Sequence, residues 1–426
     1  NYTGSGTSTV TIDGNTVTGP NTLTIDANAN LQYVIGEAPA AVIMNSAQLE
    51  SLIAENNNLD SVSVVNFVEF QPQPFTFDGR TVESVQFGND EGNTLTGGAT
   101  DDLLIGNGGD DQLTGGAGDD VATYVNEVRI TSGAMGFVVE AGAEGNDTLS
   151  GVEKVVSVVS DGMGGTISQT YFLVGNGGYD SIQDAIEDAM AGDIIVVASG
   201  EYVENLVINK DVTILGANAD VSGFDSMRSI ESVIKGSVQI TAAGAELNGF
   251  TLTKPDASMS PNMINFSGWS GVSVLVSASD AMVLNNQIEV FGAAGGFSSP
   301  GFVVFTGGNG RFEGNLVEAG AGYNALGDAR GVGSVFVNNT TGEVVINDNE
   351  LRVSTNNADA VNIASGAASV TNNLISGTDG GIVAFNKFGN LTITGNTIDD
   401  YMDNGIRVIN YTGSGTSTVT IDGNTV

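Results

Sequence analysis

Four nine-residue units follow one another without a gap from Gly88, and no other feature restricts the fold of this chain as strongly. They read GNDEGNTLT, GGATDDLLI, GNGGDDQLT and GGAGDDVAT. Glycines near the start of each unit permit a tight turn with exposed backbone carbonyl groups, and the sixth position holds an aspartate or asparagine. The eighth position holds one apolar residue, which is typical of a very short strand with a single inward side chain. The period therefore predicts a stack of turns and short strands.

The phase and length of these units resemble the RTX, or haemolysin-type, calcium-binding repeat. The resemblance implies a short parallel β-roll with Ca²⁺ as its cofactor, bound by sixth-position carboxylates and by turn carbonyls, because Ca²⁺ prefers hard oxygen ligands. The first unit has Asn93 in place of an aspartate, and a degenerate copy, GAEGNDTLSG, supplies Asp147. The expected metal-binding residues are Asp102, Asp111, Asp120, Gly97, Gly106, Gly108, Gly115, Gly116, Asn93 and Asp147.

The acidic doublets inside the units allow a second interpretation, a solvated acidic face like that of salt-adapted proteins. The glycine phase favours the calcium interpretation. Carboxylates this close in sequence repel one another, so a compact roll without cations would be unstable. We therefore expect the segment to be disordered without calcium and ordered with it.

A longer repeat joins the two ends of the chain. Residues 1–17 and 410–426 both read NYTGSGTSTVTIDGNTV. Exact repetition of this length is typical of tandem arrays, so we expect the chain to be one period of a longer array. The alternative is a duplicated end within one complete protein.

A shorter motif, apolar-x-x-Asn-x-apolar, recurs at irregular steps in the C-terminal half. Such spacing fits the coils of a parallel β-solenoid with loop insertions better than a helical repeat. The apolar positions, such as Phe312 and Ile393, should point inward, and the asparagines should form a hydrogen-bonded ladder at a turn, with glycan binding as the minor alternative. The aligned asparagines are Asn286, Asn315, Asn349, Asn373, Asn396 and Asn424.

The solenoid has a recognisable beginning. Ile182, Ala185, Ile186 and Ala189 follow helical spacing, and strand-like alternation comes after Gly192. A short helix near 180–191 would cover the first coil, whose strand edges would otherwise be unpaired. This stretch resembles the N-terminal entry of pectin-lyase-like β-helix proteins.

The expected fold class is all-β: a right-handed parallel β-helix, or pectin-lyase-like solenoid, with a short helical cap, plus a short calcium-binding parallel β-roll. The expected order of domains has four parts. Residues 1–35 form the last β-helix coils, 36–87 a small connector module with a helix near Asn45, 88–160 the roll and following strands, and 161–426 the β-helix.

Charge and missing residue types limit the function. The chain has 50 acidic and 12 basic residues, a formal net charge of −38, and no His or Cys. Nucleic acid and membrane insertion are not expected, because a polyanion repels anionic partners and no apolar run is long enough to span a bilayer. The absence of His and Cys excludes imidazole and thiolate chemistry. The basic residues of the β-helix do not recur at equivalent positions in successive coils, so we expect no enzyme activity.

These features favour one module of a giant, secreted, calcium-stabilised bacterial protein: a cell-surface fibre, matrix filament or adhesin. Its expected partners are neighbouring identical modules, in a covalent array or a head-to-tail polymer, and surface polysaccharide. The RTX resemblance implies type I secretion. A β-helix beside calcium repeats also resembles alginate epimerases and other polysaccharide lyases, so a polysaccharide-binding or polysaccharide-modifying protein is the alternative.

Overall fold

The computed structural model describes residues 88–426 with gaps at 89, 134–135, 164, 229, 254–263, 267–268, 291–302, 320–332, 354–358, 379, 386–388 and 410–416. Before residue 88 it describes only short strands and the side chain of Gln86, which is buried and bonds to the backbone of Thr96. The chain divides into two compact units, Asn1–Asp180 and Ser181–Val426. Nearly all regular structure is β, much of it parallel, and this confirms the predicted fold class.

The first unit contains eighteen described strands and one 3-10 turn at Gly142–Glu144. In chain order, β1 to β18 are Leu23–Thr24, Ala27–Asn28, Val34–Ile35, Val42–Ile43, Val65–Val68, Phe70–Gln71, Phe75–Phe77, Arg80–Val82, Ser84–Phe87, Thr94–Thr96, Asp102–Ile105, Gln112–Thr114, Val121–Tyr124, Arg129–Gly133, Gly136–Glu140, Asn146–Ser150, Lys154–Ser160 and Thr166–Val174.

The nine-residue units form a two-walled roll, because each unit supplies half a coil. Strands β10, β12 and β16 pair in parallel as the first wall, and β9, β11, β13 and β17 pair in parallel as the second wall. The eighth positions point between the walls. They stack in register as Leu95, Leu113 and Leu149 on one side and Leu104, Ala122 and Val155 on the other, all at most 1% exposed.

An insertion interrupts the roll after the fourth unit. The antiparallel strands β14 and β15 extend the first wall beyond β16, so the chain returns to the roll after this excursion. The buried carboxylate of Glu144 fixes the return, since it accepts the backbone N–H of Val125 at 2.9 Å and that of Asn126 at 3.0 Å. The hairpin β17–β18 then closes the second wall.

The predicted connector is described only in part. Its described part includes β5 and β6, and β7 and β8 pair with each other in antiparallel orientation. The helix predicted near Asn45, like the N-terminal residues 1–17, lies outside the described residues. Residues 161–180, which the sequence assigned to the β-helix, belong to the first unit.

The second unit contains twenty-five described strands and one α-helix, α1, at Ile182–Asp188. In chain order, β19 to β43 are Ile194–Val197, Gly200–Tyr202, Leu206–Ile208, Thr213–Leu215, Ser232–Lys235, Val238–Ile240, Glu246–Asn248, Thr251–Thr253, Ile264–Phe266, Trp269–Val272, Val274–Val276, Met282–Leu284, Gln287–Val290, Val303–Phe305, Arg311–Glu313, Leu316–Ala319, Gly333–Asn347, Glu350–Val353, Asp359–Thr371, Leu374–Ser376, Gly380–Ala384, Leu391–Thr394, Thr397–Asp399, Asn404–Val408 and Val419–Asp422.

All of these strands except β27 and β28, which pair with each other as an antiparallel hairpin, form a three-faced parallel solenoid. Face one contains β19, β22, β25, β30, β33, β35, β37, β40 and β43. Face two contains β20, β23, β26, β31, β34, β36, β38 and β41. Face three contains β21, β24, β29, β32, β35, β37, β39 and β42, so the long strands β35 and β37 bend from face three into face one.

An apolar row fills the interior behind face one. Phe312, Ile346, Val370 and Ile393 are register partners from coil to coil and are fully buried. Ile421 continues the row on β43 and is 49% exposed.

Helix α1 packs against β19 and β21 of the first coil. Ser181 is its N-cap, because the hydroxyl accepts the Asp184 N–H at 3.0 Å. Glu204 accepts the two preceding N–H groups, those of Ile182 at 2.9 Å and Gln183 at 3.0 Å. Across the described part of the chain, no helix has the length and apolar character needed to cross a membrane.

Candidate calcium-binding site

The sixth positions of alternate units line up along the first wall. The backbone N–H of Asn93 donates to Asp111 Oδ1 at 2.7 Å, and the N–H of Asp111 donates to Asp147 Oδ1 at 2.8 Å. Asp147 Oδ2 accepts the hydroxyl of Tyr124 at 2.8 Å. We call these three residues, Asn93, Asp111 and Asp147, the first column.

A second column follows the second wall with the same bonding. The N–H of Asp102 donates to Asp120 Oδ1 at 2.8 Å, and the N–H of Asp120 donates to Glu153 Oε2 at 2.7 Å. In each column, every carboxylate after the first member therefore uses one oxygen to hold the coil before it. The second oxygens of Asp102, Asp111 and Asp120 face the glycine turn of their own unit, and that of Asp102 accepts the N–H of Gly98 at 2.6 Å.

The glycine turns leave room for nothing larger than hydrogen beside those second oxygens. A Cβ on Gly97 would collide with Asp102 Oδ2 and with the carbonyl oxygen of Gly115. A Cβ on Gly106 would collide with Asp111 Oδ2. Carboxylate and carbonyl oxygens thus approach one another around a space that only glycine keeps open, the donor set that Ca²⁺ prefers.

Two of these oxygens are orphaned. Asp111 Oδ2 and Asp120 Oδ2 have no hydrogen-bond partner in the structure. Water cannot replace that partner easily, because both residues are at most 1% exposed. A buried anionic oxygen without a donor is strongly unfavourable, and a divalent cation would satisfy it. Within the described residues no three acidic side chains meet at one point, which fits sites built from one or two carboxylates and backbone carbonyls.

The remaining predicted residues lie around the same turns. Asn93 Oδ1 occupies the position beside Gly88 that aspartate oxygens occupy in the other units. Gly108 lies against Asp90, and Gly116 has a positive φ of 118° and lies against the carbonyl of Gly98.

The two aspartates of each doublet have different environments. The second members, Asp102, Asp111 and Asp120, are buried in the columns. The first members lie on the outside of the roll, where carboxylates accept backbone N–H groups of another coil. The N–H of Asp119, for example, donates to Asp101 Oδ1 at 2.9 Å. An outward acidic series and the buried columns are therefore both present, one residue apart.

Three residues of the site have no counterpart in the sequence prediction. Glu153 is the last member of the second column, and Tyr124 donates to Asp147, the last member of the first. The side chain of Asn107 donates to the Gly88 carbonyl at 2.9 Å. Burial and the neighbouring Asp147 raise the pKa of Tyr124 well above its ordinary value, so its hydroxyl keeps the proton that it donates.

Burial raises the pKa of the column carboxyls. The pKa of Asp111 rises from 3.8 to about 6, and those of Asp120 and Asp147 rise to about 7, with neighbouring carboxylates adding to the effect of desolvation. Because the folded values lie above the unfolded value, protonation stabilises the metal-free roll below about pH 4, and this stability is lost as the pH rises through about 6 to 7.

Calcium must therefore displace protons near neutral pH. We expect the apparent calcium affinity to rise at least about tenfold between about pH 5.5 and pH 7.5, with protons released on binding at about pH 6. Calorimetric titrations in two buffers of different ionisation enthalpy count those protons. Equal heats in the two buffers at about pH 6 would contradict this prediction.

The asparagines aligned in the sequence form one row at the turn between faces one and two. Asn349 is typical: its Nδ2 donates to Asn373 Oδ1 at 2.9 Å and to the Phe312 carbonyl at 2.9 Å, while its Oδ1 accepts the N–H of Asn315 at 2.9 Å. The row runs through Asn286, Asn315, Asn349, Asn373, Asn396 and Asn424. The residue before each of them has a positive φ, which is why that position is always Gly, Asn or Asp.

Comparison with known proteins identifies a repeat family for the roll and none for the rest of the chain. No curated protein matches the sequence. Residues 87–122 match the RTX calcium-binding nonapeptide repeat in four copies, so this chain carries RTX repeats, and Ca²⁺ is the ion that such repeats bind.

Proposed function

We propose that this chain is a structural module of a secreted, calcium-stabilised bacterial surface fibre, matrix filament or adhesin. RTX repeats are typical of secreted bacterial proteins, and this chain contains both a short roll with such repeats and a long solenoid. The nine described strands of face one, at about 4.8 Å per step, correspond to a rod of roughly 40 Å. A rod of this kind spans distance, which is the property that a fibre needs.

One observation carries the proposal: the sequence shared by both ends is coil-forming. Within residues 417–426, Val419–Asp422 pair in register with Leu391–Thr394, and Asn424 continues the asparagine row. Residues 1–17 repeat the same letters. The next layer, from the same polypeptide or from another copy, would then place its apolar residue on Ile421.

Calcium would act in this proposal as an assembly signal. Calcium is scarce inside cells and abundant outside, so the roll would remain unfolded during export and fold at the cell surface. Identical modules are the proposed partners, with surface polysaccharide as a further one.

Association in calcium tests the proposal. We expect the purified chain to form elongated, end-joined particles in millimolar calcium, seen by electron microscopy and light scattering. Ile421→Asp should prevent this association, whereas Ile230→Asp, at another exposed isoleucine, should not. Compact monomers in both variants and in the parent chain would contradict the proposal.

A polysaccharide-modifying enzyme is the second function to test. Acidic polysaccharides incubated with the calcium-loaded chain should yield no unsaturated uronate, measured by ultraviolet absorbance. Accumulation of that product would replace the structural proposal with a lyase.

A further inference from the structure

The second column does not end with the four repeats. After the fourth unit the chain leaves for the excursion through β14 and β15, and it returns to the second wall at Gly151–Glu153, just before β17. Strand β17 pairs with β13 as β13 pairs with β11, so residues 151–153 take the place of a further turn. They lie outside the segment that matches the repeat family.

Gly151 reproduces the geometry of a repeat turn. The N–H of Gly97 donates to the Thr114 carbonyl at 2.7 Å, and the N–H of Gly115 donates to the Ser150 carbonyl at 3.0 Å. As Gly97 faces Asp102 Oδ2 and the Gly115 carbonyl, Gly115 faces Asp120 Oδ2 and the Gly151 carbonyl, each too close for a Cβ.

Glu153 takes the place of a sixth-position aspartate. Its Oε2 accepts the N–H of Asp120 at 2.7 Å, as Asp120 Oδ1 accepts that of Asp102 at 2.8 Å, and it is 8% exposed. The next residue, Lys154, directs its ammonium over the ring of Phe172 at 4.4 Å. The longer glutamate side chain thus reaches the position that an aspartate holds in the repeats.

We propose that Gly115, Asp120, Gly151 and Glu153 form a calcium site that is completed by residues outside the four repeats. Asp120 Oδ2, buried and without a hydrogen-bond partner, and the Gly151 carbonyl face the ion. Glu153 positions the Asp120 turn and adds negative charge, which raises affinity for Ca²⁺. The site does not depend on the chain acting as a spacer.

Calcium titration of Glu153→Gln tests the assignment. The glutamine oxygen can still accept the Asp120 N–H, so the change removes the charge and keeps the bond. We expect calorimetry to show one calcium equivalent lost, or weakened by about tenfold or more, with the others unchanged. Glu140→Gln, the same change at an exposed carboxylate of β15, should titrate like the parent chain.

Two results would overturn the site. One is a Glu153→Gln titration that superimposes on that of the parent chain. The other is a crystal of the parent chain grown in calcium with no anomalous peak beside Asp120 Oδ2 and the Gly151 carbonyl. The crystal measurement does not depend on how the variant folds, and circular dichroism of the variant in saturating calcium checks that fold separately.

Discussion

Removal of calcium should unfold the roll of the first unit and leave the β-helix of the second unit folded. Burial shifts the pKa of Asp120 and Asp147 from 3.8 to about 7, so ionising each in the metal-free roll at higher pH costs on the order of 4 kcal/mol. A whole domain is stable by only about 5–15 kcal/mol. Hydrogen exchange followed by mass spectrometry should show protection of β10 to β13 lost in chelator and that of β30 to β40 kept.

A matched pair of variants separates buried charge from total charge. Asp111→Asn with Asp120→Asn removes two buried carboxylates and should leave the roll protected in chelator. Asp110→Asn with Asp119→Asn removes two exposed ones and should keep the dependence on calcium. Equal protection of the parent roll with and without calcium would contradict the coupling of folding to metal binding.

Loss of one internal asparagine should have the largest effect on the β-helix. Asn349→Ala removes donors to the Phe312 and Asn347 carbonyls and the acceptor of the Asn315 N–H. The Phe312 carbonyl and the Asn315 N–H are buried, the Asn347 carbonyl is partly buried, and all three would lose these bonds, so we expect the variant to lose about 3–5 kcal/mol of unfolding free energy. Chemical denaturation of the second unit, followed by circular dichroism, measures this loss.

Two other asparagines serve as controls, one outside the asparagine row and one at its end. Asn404→Ala alters a half-buried asparagine of β42 outside the row and should cost less than about 1 kcal/mol. Asn424→Ala alters the half-buried last member and should cost less than Asn349→Ala. Equal losses for Asn349 and Asn404 would show that the row does not stabilise the coils.

The sequence predicts features that repeat at a fixed spacing. The sixth and eighth positions of the nonapeptides are each defined by period alone, and Asp102 and Leu104 lie where that period predicts. The asparagine motif predicts stacking in the same way, because Asn349 and Asn373 keep their distance from the apolar residues of their own coils. Ser181 and α1 follow from local helix signals.

Features that depend on contacts across an insertion could not be predicted. Glu153 follows the fourth unit only after the excursion through β14 and β15, and its longer side chain breaks the aspartate pattern. In the sequence, Tyr124 is an ordinary strand residue. Its role appears only in the fold, where the chain brings Asp147 beside its hydroxyl after the insertion. The bend of β35 from face three to face one depends on the neighbouring coils and has no sequence signal that we can identify.

The side-chain amides of the asparagine row all point the same way. Each Nδ2 donates to the Oδ1 of the asparagine that follows it in the chain, from Asn286 to Asn424. Hydrogen bonds in series polarise one another, so the row acts as an extended dipole along the coils. Turning one amide over would set donor against donor on one side and acceptor against acceptor on the other. The orientation is therefore fixed for the row as a whole, and any asparagine added beyond Asn424 would find its own orientation already determined.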